Sequence, residues 1–134
     1  RQYARAFIAV DRASGQRNLI VVLDALTGWQ SLRDELVKRI RAEYGSEYSE
    51  SNIMITATHT HATPGGITHQ SLYNITTLGF HQDTFNAQVE GTMKAVRQAT
   101  KDLAPGNLTV STSKLTGVGV NRSREAYNRD SERY

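Results

Sequence analysis

Apolar residues fall into two periodicities along this chain, and the switches between them mark its elements. Ala4–Val10 and Asn18–Ala25 read as strands, joined by a turn at Ser14-Gly15-Gln16, so a hairpin is expected. Leu19 to Leu23 is apolar without a break, which predicts a strand covered on both faces, and Asp24 ends the run. After Gly28, residues Leu32, Leu36, Val37, Ile40 and Tyr44 recur at helical spacing and Gly45 is placed as the stop. Ile53–Thr58, rich in β-branched residues, predicts a third strand. A long loop without regular structure is expected from Ala62 to about His81; loops of that length usually bind something. Asp83 reads as the N-cap of a second long helix that carries Phe85, Val89, Met93 and Val96 on one face and ends before Pro105-Gly106. Leu108–Val110 and Val118–Val120 read as two further strands. The order predicts an α/β fold, a layered mixed β-sheet with two long helices.

Length and charge narrow the classes. The chain has 134 residues, 38% hydrophobic and 22% charged, enough for one ordinary globular domain. The start at Arg1 without methionine and the polar run up to Tyr134 suggest a fragment of a larger catalytic domain. No segment approaches the roughly 18 consecutive apolar residues of a membrane-spanning helix. The formal charge of +3 invites a nucleic-acid reading. Its distribution argues against one: Arg33-Asp34-Glu35 and Lys38-Arg39-Arg41-Glu43 mix both signs on what read as solvated helix faces, and no basic stretch is interleaved with aromatics. With no cysteine, disulfides and Cys-based zinc sites are excluded.

The candidate chemistry sits where the third strand ends. In Thr58-His59-Thr60-His61, alternation along a strand would turn both imidazoles into one cleft and both threonines away from it. Neutral imidazole is a good Zn²⁺ ligand, and an i, i+2 pair can put one ring on the metal with the other beside it. The same spacing also occurs where one ring caps a loop and the other is simply exposed. Pro64-Gly65-Gly66 follows, and its glycines permit φ > 0 and close backbone approach to a ligand. Of the other histidines, His69 and His81 either approach the cleft or, as the more common case, are solvated loop residues. Tyr73 and Phe80 either line an entrance to the cleft or fold back onto the core. Sequons occur at Asn74, Asn107 and Asn121.

Three blocks of sequence carry a family resemblance. They are Thr58-His59-Thr60-His61 with Pro64-Gly65-Gly66, Leu78-Gly79-Phe80 with Thr84-Phe85-Asn86, and Asn121-Arg122-Ser123 with Ala126-Tyr127 and Glu132-Arg133. In order and spacing they resemble the N-terminal part of the catalytic domain of neutral, non-lysosomal ceramidases, and Ala4-Arg5-Ala6-Phe7-Ile8 resembles that family's first strand. The resemblance implies a zinc amidase that splits the N-acyl amide of ceramide into sphingosine and a fatty acid. It implies His59 as a zinc ligand, His61 beside the reacting group, Arg122 at the substrate carbonyl, and Pro64, Gly65, Gly66 and Asn121 as substrate-loop residues. It also implies a lipid amide substrate, contact with a membrane surface and a secreted, periplasmic or cell-surface location.

The pattern is not matched everywhere. Ala62-Thr63 stands where the family commonly has Ser-Gly, Arg124 where a proline is usual, and the segment between Ala126-Tyr127 and Glu132-Arg133 is shortened. One histidine cannot complete a tetrahedral zinc site. The family's other ligands (a histidine, a glutamate and a tyrosine) and its nucleophilic serine are expected beyond residue 134, so this segment alone is expected to be inactive and to need the rest of the polypeptide. Two other readings stand beside this one: a different His-x-His metallohydrolase, such as an amidohydrolase or phosphoesterase, and a non-catalytic α/β binding module. In the simplest competing role for Arg122, it pairs with Asp24 or another surface carboxylate.

Overall fold

A computed structural model describes residues 2–130. It divides into two compact units, Arg1–Ala104 and Pro105–Tyr134, each treated by itself. In the first, β1 (Ala4–Val10) and β2 (Arg17–Leu23) form the expected antiparallel hairpin, in register from Ala4 opposite Leu23 to Val10 opposite Arg17. Its turn depends on Gly15, at φ 73°, and on Asp11, whose carboxylate accepts the amides of Ala13 and Ser14. The chain then makes α1 (Gln30–Tyr44), which stops at Gly45 because that residue takes a left-handed φ of 65° and returns its N–H to the Arg41 carbonyl. β3 (Ile53–Ala57) comes back parallel to β2, giving a mixed sheet of order β1-β2-β3.

Both long helices lie on one face of that sheet. α1 buries Leu32, Leu36, Val37 and Ile40, and α3 (Gln82–Lys101) buries Phe85, Val89, Met93 and Val96 against Leu19, Val21 and Leu23. These are the positions the helical spacing selected. A bidentate ion pair from Arg97 to Glu43 and an Arg39–Glu90 pair tie the outer edges of the two helices together.

Four local expectations are corrected. β2 is covered on one face only among the described residues: Leu19, Val21 and Leu23 are buried, while Ile20 is exposed in a row with Phe7 and Met54. An unbroken apolar run therefore does not report two covered faces within this chain. The long loop contains structure of its own, α2 (Ser71–Asn74) followed by a 3₁₀ turn at Ile75–Thr77. α3 starts one residue before Asp83, with His81 at the N-cap and Asp83 in the first turn, where its charge still complements the helix dipole. Finally, 108–110 and 118–120 are not strands. Leu108, Val110, Val118 and Val120 are all exposed, and β-propensity without a neighbouring strand to pair with does not fix a strand. Among the described residues, the second unit's one regular element is α4 (Arg124–Arg129).

Candidate functional site

The two histidines meet, though not by strand alternation. β3 ends at Ala57, and although the amides of Thr58 and Thr60 still bond the carbonyls of Leu23 and Ala25, His59 itself adopts a left-handed φ of 61°. That conformation is uncommon for a non-glycine residue, and histidine is among the types that tolerate it best. It breaks the alternation and sets the His59 and His61 rings edge to face, with centroids 5.2 Å apart. Both side chains are exposed.

His59 Nδ1 lies 2.9 Å from the Leu26 carbonyl oxygen, so the Nδ1–H tautomer donates there and leaves the Nε2 lone pair pointing elsewhere. Metal-binding histidines are commonly oriented this way, by a carbonyl on the second ring nitrogen. The Leu26 carbonyl is a backbone group on the loop after β2, and no side-chain pattern could have announced it. Among the described residues no three His, Cys, Asp or Glu side chains converge as a metal cage. His59 is thus oriented as a metal-ligating histidine would be, and no cage is completed around it among the described residues.

His61 borders a cavity of about 130 Å³ shared with Trp29, Thr63, Pro64 and Gln88. Thr63 Oγ1 is buried there without a hydrogen-bond partner among the described residues. Gln88 arrives from the half-buried flank of α3 and Trp29 from the N-cap of α1, two contributors that sequence reasoning passed over. The loop after His61 is tied at Ala62, whose N–H donates to Thr60 Oγ1 and whose carbonyl accepts Gln2 Nε2.

Pro64-Gly65-Gly66 makes its close approach to protein. Gly66, at φ 72°, has no room for a Cβ, which would fall 2.8 Å from the Gly79 carbonyl oxygen and 2.3 Å from His81 Cδ2. The Gly66 carbonyl accepts the His81 amide at 2.6 Å, and the His81 ring is held by the Thr77 carbonyl. His81 is thus exposed but anchored, and it serves to lock the 77–81 segment under the glycine loop. His69 is exposed beside Phe80 and Phe85, at 5.3 and 6.3 Å. Phe80 folds back onto the core, whereas Tyr73 stays exposed with its ring 5.1 Å from Trp29.

Asp24 is taken by Arg5 at 2.8 Å and by the Tyr3 amide, and this pairing holds its carboxyl below the ordinary carboxylate range. Arg122 and Asn121 lie in the second unit, both exposed; Asn121 Oδ1 accepts the Ser123 amide and so forms the turn that leads into α4. His59, His61 and Pro64–Gly66 all belong to the first.

Comparison with known proteins decides the family. Residues 1–134 match the family described as neutral/alkaline non-lysosomal ceramidase, N-terminal. The chain belongs to that family. It is 40% identical over 123 residues to the neutral ceramidase of Pseudomonas aeruginosa, covering 92% of this chain and 18% of that protein. It is also 40% identical over 129 residues to the neutral ceramidase of Mycobacterium tuberculosis, covering 95% and 20%. Among solved structures, a ceramidase complexed with C2 superposes with a TM-score of 0.93 at 37% identity, over 98% of this chain and 20% of that one. The Pseudomonas aeruginosa neutral ceramidase structure gives 0.77 at 42% identity, over 79% and 17%. The chain thus spans about a fifth of its ceramidase relatives, and its mixed sheet with two helices corresponds to part of their larger domain.

Proposed function

We propose that this chain is one wall of the active site of a zinc-dependent amidase that hydrolyses the N-acyl amide of ceramide to sphingosine and a fatty acid. Membership of the ceramidase family supports the reaction class. The observation that carries the zinc assignment is the His59 Nδ1 bond to the Leu26 carbonyl, which presets the ring with Nε2 available as a ligand. Zinc bound there would lower the pKa of a coordinated hydroxyl and polarise the amide carbonyl. His61, with its ring against His59, is the proton handler or hydrogen-bond partner beside the reacting group. By the family resemblance, Arg122 would supply positive charge to the carbonyl oxygen as the tetrahedral oxyanion develops, with Asn121 beside it in the sequence as a substrate-loop residue. Pro64, Gly65 and Gly66 form the substrate loop, and the nucleophilic serine and remaining ligands come from the rest of the polypeptide. The substrate class implies work at a membrane surface, and a secreted, periplasmic or cell-surface location accords with it.

The test uses the complete polypeptide, assayed for bound zinc and for fatty-acid release from a fluorescent ceramide. His59→Ala should lose both metal and activity. Arg122→Ala should keep the metal and lower turnover by about 10²–10³-fold, the usual effect of removing an oxyanion donor. Full activity in His59→Ala overturns the assignment, and a complete protein that binds no zinc points instead to a non-catalytic module.

A further inference from the structure

From Ser51 to Gln82 the chain runs for 32 residues without one Asp, Glu, Lys or Arg, where its average of 22% would place about seven. Within that run, the turn formed by α2 and the following 3₁₀ residues exposes four large apolar side chains: Leu72 at 72%, Tyr73 at 57%, Ile75 at 65% and Leu78 at 95%. Single exposed apolar residues are ordinary, but four within seven residues mark an interaction site.

The turn is held firmly in this exposed form. Asn74 is buried and donates to the Thr68 carbonyl at 2.6 Å, the Gly79 amide returns to the Asn74 carbonyl at 3.0 Å, and Leu78 sits at a left-handed φ of 61° that leucine rarely holds. Its base continues into the candidate site, since the Thr77 methyl abuts Gly65 and the His81 amide bonds the Gly66 carbonyl. Tyr73 packs on Trp29, and aromatic residues with a polar edge are favoured where lipid meets water.

We propose that the 72–78 turn is a lipid-interface contact, which places Leu72, Tyr73, Ile75 and Leu78 among the acyl chains of the bilayer that holds the substrate and so seats the Pro64–Gly66 loop at the membrane. This rests on the lipid-amide reading above. The missing charge selects the occupant: a segment entering hydrocarbon must shed formal charge, whereas a face covered by protein need not. The contrast lies in the same unit. The open face of the sheet sets Arg5 and Asn18 among Phe7, Ile20 and Met54, as suits a covering protein layer. Without cations on the turn, docking requires no anionic lipid and does not weaken with salt.

The experiment compares the complete protein with Ile75→Asp/Leu78→Asp, using phosphatidylcholine vesicles carrying long-chain ceramide and, separately, a water-soluble short-chain ceramide. The variant should lose roughly tenfold or more in vesicle co-flotation and in turnover of the vesicle-borne substrate, through KM, with the soluble substrate turned over as before. Equal losses on both substrates, or no loss on either, overturn the proposal. Should the double variant fail to fold, Leu78→Trp replaces it: a blue-shifted emission on adding phosphatidylcholine vesicles supports insertion, and an unchanged spectrum overturns it. If the wild-type protein is inactive on the soluble ceramide, the ceramidase reading fails, yet co-flotation still decides the docking.

Discussion

Gly66→Ala concentrates the local physics of the site in one atom. Two costs combine. Residue 66 sits at φ 72°, where an L-residue with a Cβ is disfavoured by about 1–2 kcal/mol. The new methyl would also lie 2.8 Å from the Gly79 carbonyl oxygen and 2.3 Å from His81 Cδ2. The first is backbone, and the second belongs to a ring that cannot swing aside without giving up its 2.7 Å bond to the Thr77 carbonyl. Relieving the clash should cost about 1–3 kcal/mol more, as overpacking typically does. Gly65→Ala is the control: residue 65 has no left-handed φ, and its Cβ meets only the Thr77 methyl at 2.8 Å. With one methyl contact in place of a backbone clash and no left-handed penalty, its cost should be about 1 kcal/mol.

The reporter is the His81 amide, which donates to the Gly66 carbonyl. Hydrogen exchange in the complete protein, followed on a peptide spanning residues 64–82, reads the free energy of local opening. A loss of at least about 2 kcal/mol corresponds to exchange at least about 30-fold faster in Gly66→Ala, against about fivefold in Gly65→Ala. Equal acceleration in the two variants would refute the argument, since it would mean that the glycine loop is not clamped by the 77–81 segment.

Three further outcomes follow from packing and charge. Leu36→Ala, at a fully buried position of α1, should destabilise by about 2–5 kcal/mol in denaturant unfolding, while exposed Lys38→Ala should change little. Arg97 holds Glu43 below its ordinary 4.5, chiefly by hydrogen bonding and against the opposing effect of partial burial. A carboxylate depressed on folding contributes stability above its unfolded pKa and loses it as pH falls through the folded value. Arg97→Ala should therefore lower the melting temperature at neutral pH only slightly, because Arg97 is half exposed and the pair is screened by solvent, and the gap from wild type should close as pH falls below 4.5 and through the depressed Glu43 value. After expression in a glycosylating host, mass spectrometry should find Asn74 unmodified because its amide is buried on the Thr68 carbonyl; Asn121 should also be bare, since a glycan there would crowd Arg122.

Much of the first unit is legible in the sequence because its elements are made by local periodicity. The apolar spacing of α1 and α3 selects their buried residues, and Gly45 stops α1 through its own backbone freedom. Strands are different. The same β-branched composition gives β3, which pairs with β2, and gives irregular, unpaired chain at 108–110 and 118–120, because a strand is defined by its neighbour. The uncovered row of Phe7, Ile20 and Met54 has the same origin: hydrophobicity says that a face seeks cover without saying what supplies it.

The site divides along the same line. Motif order alone pointed to the ceramidase family and to His59, His61 and the Pro64–Gly66 loop as positions of interest. That the two rings meet was decided by tertiary structure, through a left-handed residue after the strand's end and a backbone carbonyl at Leu26. Residue types state what chemistry is available. Which nitrogen remains free, and which loop clamps which, depends on backbone groups that every residue carries and no sequence distinguishes.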